Sequence, residues 1–200
     1  MTFSSSLADE HRTLVLDTSV LINLHACTYG ERVLTAIPND IVVPDVVEGE
    51  LKRETGRMDG SQNFLHGLME RGKVTVAGMT DAEYELFATL TGGSQPLDDG
   101  EAATIAIAAD RGFRAIVDER KGRTRAAALM SGEEPGWSLD LLRHPRVVQS
   151  LGLQAADAVY LALRHGRMRI PAQFGESVLH LIGRDRAIEC TCLPNFKSLF

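Results

Sequence analysis

The sequence predicts an α/β fold built on a mainly parallel sheet, with a helical C-terminal part. Short apolar runs of strand length alternate with stretches whose apolar residues recur at helical spacing. Two of the runs, TLVLD (residues 13–17) and FRAIVD (residues 113–118), share one construction, apolar residues closing on an acid. Gly and Pro punctuate the junctions, as at Pro38, Gly72 and Gly112.

Taken in order, residues 13–17 form the first strand and pass directly into Thr18-Ser19 and VLINLHAC. Thr18 or Ser19 is the expected cap of that helix. ERVLTAI is a short helix stopped by Pro38, and IVV (residues 41–43) is a buried strand. Pro44 then opens a helix carrying Val46, Val47 and Leu51. SQNFLHGLMERG is a helix closed by Gly72, followed by the strand KVTVA and the helix DAEYELFATL. TGGSQPLDDG is a loop by composition, and EAATIAIAADRG is an alanine-rich helix ending at Gly112. FRAIVD is the next strand and KGRTRAAALMSG the next helix. At SGEEPGWS (residues 131–138) the composition turns to Gly, Pro and acid. This sets the expected division: residues 1–131 as the α/β region, and residues 132–200 as a mostly helical part packed on the same domain. The latter holds LDLLRHP, AADAVYLALRHG and AQFGESVLHLIG.

Composition narrows the function. A chain of 200 residues, 44% apolar and 24% charged, buries a core without disulfides or structural metal. Lys and Arg number 21 against 27 Asp and Glu, a net charge of −6. That balance excludes a broad basic face for nucleic acid, but not carboxylates gathered around cations in a cleft. No apolar run reaches the roughly 18 residues of a membrane span. The start MTFSSSLADEHR lacks the pattern of a signal peptide. Three cysteines, Cys27, Cys190 and Cys192, give neither a disulfide framework nor a zinc site, and a reducing cytoplasm is the expected compartment. The six histidines are scattered, with no nucleophile–base pairing and no phosphate-cradling Gly loop nearby.

The acids carry the chemistry. In an open parallel sheet, ligands bind at the carboxyl ends of the strands, so Asp17 and Asp118 belong to one edge. Glu101, if its helix starts at Gly100, begins at the same edge, and Glu50 can project there from the helix after Pro44. Four carboxylates without basic partners repel one another, and divalent cations relieve them; all-oxygen ligation favours Mg²⁺ or Mn²⁺. Each acid also has a plainer reading. Asp17 can cap a helix or begin a turn. Asp98-x-x-Glu101 has the form of a capping box. Glu50 and Glu54 can line a solvated helix face, and Asp118 can be ordinary loop chemistry. Singly the plain readings lead; two strand-end acids of identical construction argue for a site.

At these residues the chain resembles the PIN-domain nucleases. LVLDTSVLINL is similar to their opening motif, and IVVPDVVEGELKR to their second, which puts the motif's acid on Glu50 rather than Glu48. LDDGEAATIAIAADRG resembles the third motif in its Gly-Glu-Ala form, and FRAIVDERKGRTRAAALMSG the fourth. The motifs stand in the family's order over residues 13–131. The resemblance implies a three-layer α/β/α PIN-like fold, with residues 1–131 as the catalytic region. It implies a metal-dependent endoribonuclease of the toxin kind (VapC-type) that leaves 5′-phosphate and 3′-hydroxyl ends. Asp17, Glu50, Glu101 and Asp118 are then the catalytic set. Asp17, Glu101 and Asp118 would hold Mg²⁺ or Mn²⁺, Glu50 would complete the set directly or through water, and Thr18 or Ser19 would steady Asp17. A small antitoxin protein and a second copy of the chain are the implied partners. The third-position Glu, where Asp is shorter, and the segment WSLDLLRHPRVVQSLG depart from the pattern.

RNA needs local positive charge. The candidates are Lys52, Arg53 and Arg57 after the second motif, and Arg120, Lys121, Arg123 and Arg125 after the fourth. Aromatic residues are only 6%, so no base-stacking platform is evident. Asp157, in LQAADAVYLALRHG, imitates an acid-then-alanine motif, but no acid-ended strand follows it. Other readings are a housekeeping PIN nuclease acting on DNA or structured RNA, or a metal-binding or inactive PIN scaffold for protein interaction. A phosphatase-like domain using Asp17 as nucleophile would usually carry Asp-x-Asp, and Ser19 stands there instead.

Overall fold

A computed structural model of the chain describes residues 3–53 and 60–199. Glu54 and Arg57 lie outside the described residues. The chain runs through β1 (Leu14–Leu16), α1 (Thr18–Ala26), α2 (Gly30–Ala36), β2 (Ile41–Pro44), α3 (Asp45–Arg53) and α4 (Ser61–Glu70). Next come β3 (Thr75–Ala77), α5 (Asp81–Thr91), α6 (Asp99–Arg111), β4 (Arg114–Ile116) and α7 (Arg120–Leu129). The remainder is helical: α8 (Ser138–Leu142), α9 (Pro145–Leu151), α10 (Ala155–Gly166), α11 (Gly175–Ile182), α12 (Arg184–Ala187) and α13 (Phe196–Leu199).

The four strands form one sheet in the order β3-β2-β1-β4, every pairing parallel. Leu16 is level with Ile116, Leu14 with Ile41, and Val43 with Val76. Strands β1, β2 and β4 are buried at every position, which is why their sequences read as unbroken apolar runs rather than alternation. This is the α/β arrangement expected, a parallel sheet flanked by helices.

By internal contacts the chain divides into two compact units: residues 11–21 with 39–136, and residues 1–10 and 22–38 with 137–200. The first unit holds the sheet. Its central packing element is α6, buried from Gly100 to Ala108. Small alanines let α6 lie across β1, β2 and β4 and against α3, α5 and α7. Ile105 and Ile107 complete a core with Val15, Val42, Ala115 and Val117. Gly112, with φ +65°, ends α6 in the left-handed conformation. Thr80 caps α5 in a reciprocal capping box with Glu83. Glu83 is fully buried and also accepts hydrogen bonds from Arg111 Nε at 2.6 Å and Nη2 at 2.9 Å. One carboxylate thereby joins the start of α5 to the end of α6, and the arginine holds its pKa below the usual range.

The second unit packs Leu34, Leu139, Leu142, Val147, Val159, Leu163 and Val178 into a core. Buried Asp140 accepts hydrogen bonds from the Ser6 amide at 2.6 Å and the Trp137 amide at 2.9 Å. Its carbonyl accepts one from Ser5 Oγ at 2.8 Å, so the N-terminal segment is fastened to the start of α8. WSLDLLRHPRVVQSLG becomes α8 and α9, broken where His144 caps α9 by accepting from the Arg146 amide at 3.2 Å. Asp157 pairs with Arg186 at 2.7 Å on the surface, a structural contact. All three cysteines are free. Among the described residues no helix is long and apolar enough to cross a membrane.

Two boundaries differ from expectation. The cap of α1 is Asp17, not Thr18 or Ser19: the helix already begins at Thr18, so the acid takes the capping place and accepts from the Ser19 amide at 3.4 Å. Pro44 does not open α3 but closes β2, level with Ala77, because a strand end tolerates a residue without an amide hydrogen.

Arg111→Ala would leave the Glu83 carboxylate buried without its cation. Its expected effect is a loss of about 3 kcal/mol of stability, read from urea unfolding midpoints.

Candidate active site

Consecutive strands β1, β2 and β3 step outward in one direction, and the chain then returns to place β4 on the other side of β1. That reversal lies between β1 and β4, the place where ligands of open parallel sheets bind. Asp17 follows β1 and Asp118 follows β4 by two residues. The Asp17 amide donates to the Ile116 carbonyl at 3.4 Å, so the two acids leave adjacent strands at one edge, and both are buried.

The Asp17 carboxylate accepts a hydrogen bond from Ser19 Oγ at 2.7 Å. Thr18 acts elsewhere: its hydroxyl donates to Glu50 Oε2. The other oxygen of Glu50 accepts the Gly100 amide at 2.8 Å. Glu50, on α3, therefore caps the first turn of α6 from outside that helix. Asp98 makes no side-chain cap bond, and Glu101 Oε1 is buried with no hydrogen-bond partner. The plain reading of Asp98-x-x-Glu101 as a capping box is not what forms. Glu50 satisfies the α6 terminus instead, and the Glu101 carboxylate is left to face the acids.

Electrostatics couple three of the acids, Asp17, Glu50 and Glu101. Burial pushes the Asp17 pKa up to about 6; the Glu50 charge adds to this, while hydrogen bonds from Ser19 and the Thr18 backbone oppose it. Glu101 is pushed up to about 8, by burial first and then by the charges of Asp17, Glu119 and Asp98, with Lys121 opposing. Asp17 thus lies in the field of both Glu50 and Glu101.

Two glycines shape the site, and neither was legible as functional from the sequence. A Cβ on Gly100 would stand 2.6 Å from Thr18 Oγ1 and closer still to Glu50 Oε2, where real Cβ atoms essentially never come within 3.0 Å. Gly122, in the first turn of α7, lies against the Glu101 side chain. The available signals were the Gly-Glu-Ala form of the third motif for Gly100 and, for Gly122, a glycine inside a helical pattern, where alanine is favoured.

The basic candidates separate. Arg123 is buried, and its guanidinium donates to the Val117 carbonyl at 3.0 Å, the Gly136 carbonyl at 2.9 Å and Glu134 at 3.0 Å. It ties down the segment after α7 and presents no exposed cation. Lys121 is exposed and donates to the Pro96 carbonyl while lowering the Glu101 pKa. Arg53 and Arg120 are exposed and Arg125 is half-buried. Lys52 pairs with half-buried Glu48 at 2.7 Å, one turn apart on α3.

Among the described residues, no three His, Cys, Asp or Glu side chains form a ready metal-holding group. The donors nonetheless suit a hard divalent cation: they are carboxylate oxygens, one of them is buried and unpartnered, and burial above all raises the pKa of two of the groups.

A carboxyl with an ordinary pKa of 4.5 that rises to about 8 on folding holds its proton more tightly in the folded state. Its contribution therefore turns against folding as pH climbs from the lower value to the higher. Glu101→Gln should melt near the wild type at about pH 5 and above it at about pH 8.5 in metal-free buffer, as thermal denaturation would register.

Comparison with known families adds one match, to a family model described as a PIN domain (DUF3368), over residues 13–132. No curated protein and no solved structure matches the chain. The matched span begins just before β1 and ends after α7, and so contains all four acids together with the parallel sheet that positions them. PIN domains are typically nucleases that act on nucleic acid, and the chain belongs to the PIN-domain family.

Proposed function

We propose that the protein is a divalent-metal-dependent endoribonuclease, hydrolysing RNA phosphodiesters as the toxin of a type II toxin–antitoxin pair. The observation that carries the reading is the buried, unpartnered Glu101 oxygen in the field of buried Asp17 at the strand-order reversal. Asp17, Glu101 and Asp118 would hold Mg²⁺ or Mn²⁺, which when bound supplies positive charge at the scissile phosphate and lowers the pKa of attacking water.

The chain's own groups do the rest. Ser19 keeps the Asp17 carboxylate oriented through its hydroxyl. Glu50, fastened by Thr18 and the Gly100 amide, fixes the turn from which Glu101 projects. Lys121, exposed at the start of α7 and close enough to bias Glu101, is the best-placed cation for a substrate phosphate, with Arg53 and Arg125 as further contacts. The low count of such residues fits a short single-stranded segment threaded at the cleft better than a broad duplex face. The family resemblance supplies the remaining expectations: a small antitoxin that covers the acidic cleft, a second copy of the chain as dimer partner, and the cytoplasm as compartment.

The deciding experiment is cleavage of a mixed single-stranded RNA pool with Mn²⁺, Mg²⁺ or EDTA, beside Asp17→Asn. The expected outcome is metal-dependent cutting that falls by about 100-fold or more in the variant while its circular dichroism stays native. Cutting by Asp17→Asn at the wild-type rate would overturn the assignment. Lys121→Ala should weaken RNA binding several-fold, with a shallower salt dependence, and leave Mn²⁺ affinity nearly unchanged; titrations of labelled RNA and of Mn²⁺ separate the two.

A further inference from the structure

The third-position acid in this chain is a glutamate, one methylene longer than aspartate, and space must exist for it. Its carboxylate is buried, and one oxygen has no hydrogen-bond partner to hold it. What bounds it instead is α7. A Cβ built on Gly122 would stand 2.6 Å from Glu101 Cγ and closer still to Cδ and Oε1. These are three consecutive atoms of one side chain, all inside the distance that real Cβ atoms keep.

Gly122 has no positive φ, so its backbone does not demand glycine. Helix propensity argues for alanine there. The residue behaves differently from Gly49 on α3, whose Cβ would meet nothing within 4 Å. The three atoms nearest to such a Cβ all belong to Glu101, and that side chain is the steric reason for the glycine.

We propose that Gly122 is a positioning residue, and that its missing side chain sets where the Glu101 carboxylate stands at the cation site. The proposal rests on the reading of Glu101 as a cation-holding carboxylate. An alanine there displaces the flexible end of Glu101 rather than the helices, so the fold survives and the carboxylate leaves its present place.

Two readouts on the full chain test it. The first is Mn²⁺ affinity by titration calorimetry for the wild type, Gly122→Ala and Gly49→Ala. Gly122→Ala is expected to lose about 10- to 100-fold, the range typical of groups that orient a ligand, and Gly49→Ala to bind as the wild type does. Unchanged affinity in Gly122→Ala overturns the proposal.

The second is a metal-free melting cycle over Gly122→Ala and Glu101→Ala. With Glu101 truncated, Gly122→Ala should raise Tm, because only helix propensity remains; with Glu101 intact, it should lower Tm or raise it less. Equal shifts in both backgrounds overturn the proposal. A wild type that binds no Mn²⁺ defeats the cation reading instead, and the melting cycle then decides the role of Gly122 alone. If Gly122→Ala fails to fold, the double variant still reports: folding restored by Glu101→Ala supports the steric link, and continued failure refutes it.

Discussion

Burying carboxylates of like charge beside one another is the constraint on which the sheet unit is organised. Asp17 and Asp118 leave adjacent strands because β4 returns to the far side of β1. Glu101 enters the same region from the start of a helix that is buried along most of its length. Burial first, and the neighbouring like charges after it, push the pKa values of Asp17 and Glu101 up. A protein keeps such an arrangement against its own stability when a cation or a substrate uses it.

Neighbouring groups make that crowding tolerable without neutralising it. Glu50 is bound at both oxygens, by the Thr18 hydroxyl and the Gly100 amide, so it is a fixed brace as much as a charge. Its bond to the α6 terminus releases Asp98 and Glu101 from capping duty. Gly100 admits that brace at close range, while Gly122 leaves room for Glu101. Arg123 does not offset the acids; its guanidinium is spent on backbone carbonyls and Glu134. The cation that lowers the Glu101 pKa is Lys121, which is exposed.

The helical unit is organised on other principles. Its apolar faces close over one another, and its polar contacts are local fastenings, as where Asp140 gathers Ser5, Ser6 and the start of α8. The Asp157–Arg186 pair belongs to this class, a surface contact despite the acid-then-alanine sequence around it. Residue pattern alone does not tell such an acid from a functional one. Position relative to a strand end does, and Asp157 follows a 3₁₀ turn within a helical stretch.

The sequence by itself determined the fold class, because buried parallel strands must be unbroken apolar runs and the helices between them must show their own period. It also determined that Asp17 and Asp118 share an edge, since parallel strands place all their carboxyl ends together. Local chemistry was less decisive: Asp17, Thr18 and Ser19 are all good caps for α1, and only the strand's actual length chooses among them. What tertiary structure alone decided are the relations across the chain. These are Glu50 capping a helix fifty residues away, Arg123 turned inward to carbonyls, and two glycines kept small by side chains from other elements. Each depends on how closely two elements approach in space, and sequence spacing carries no record of that distance.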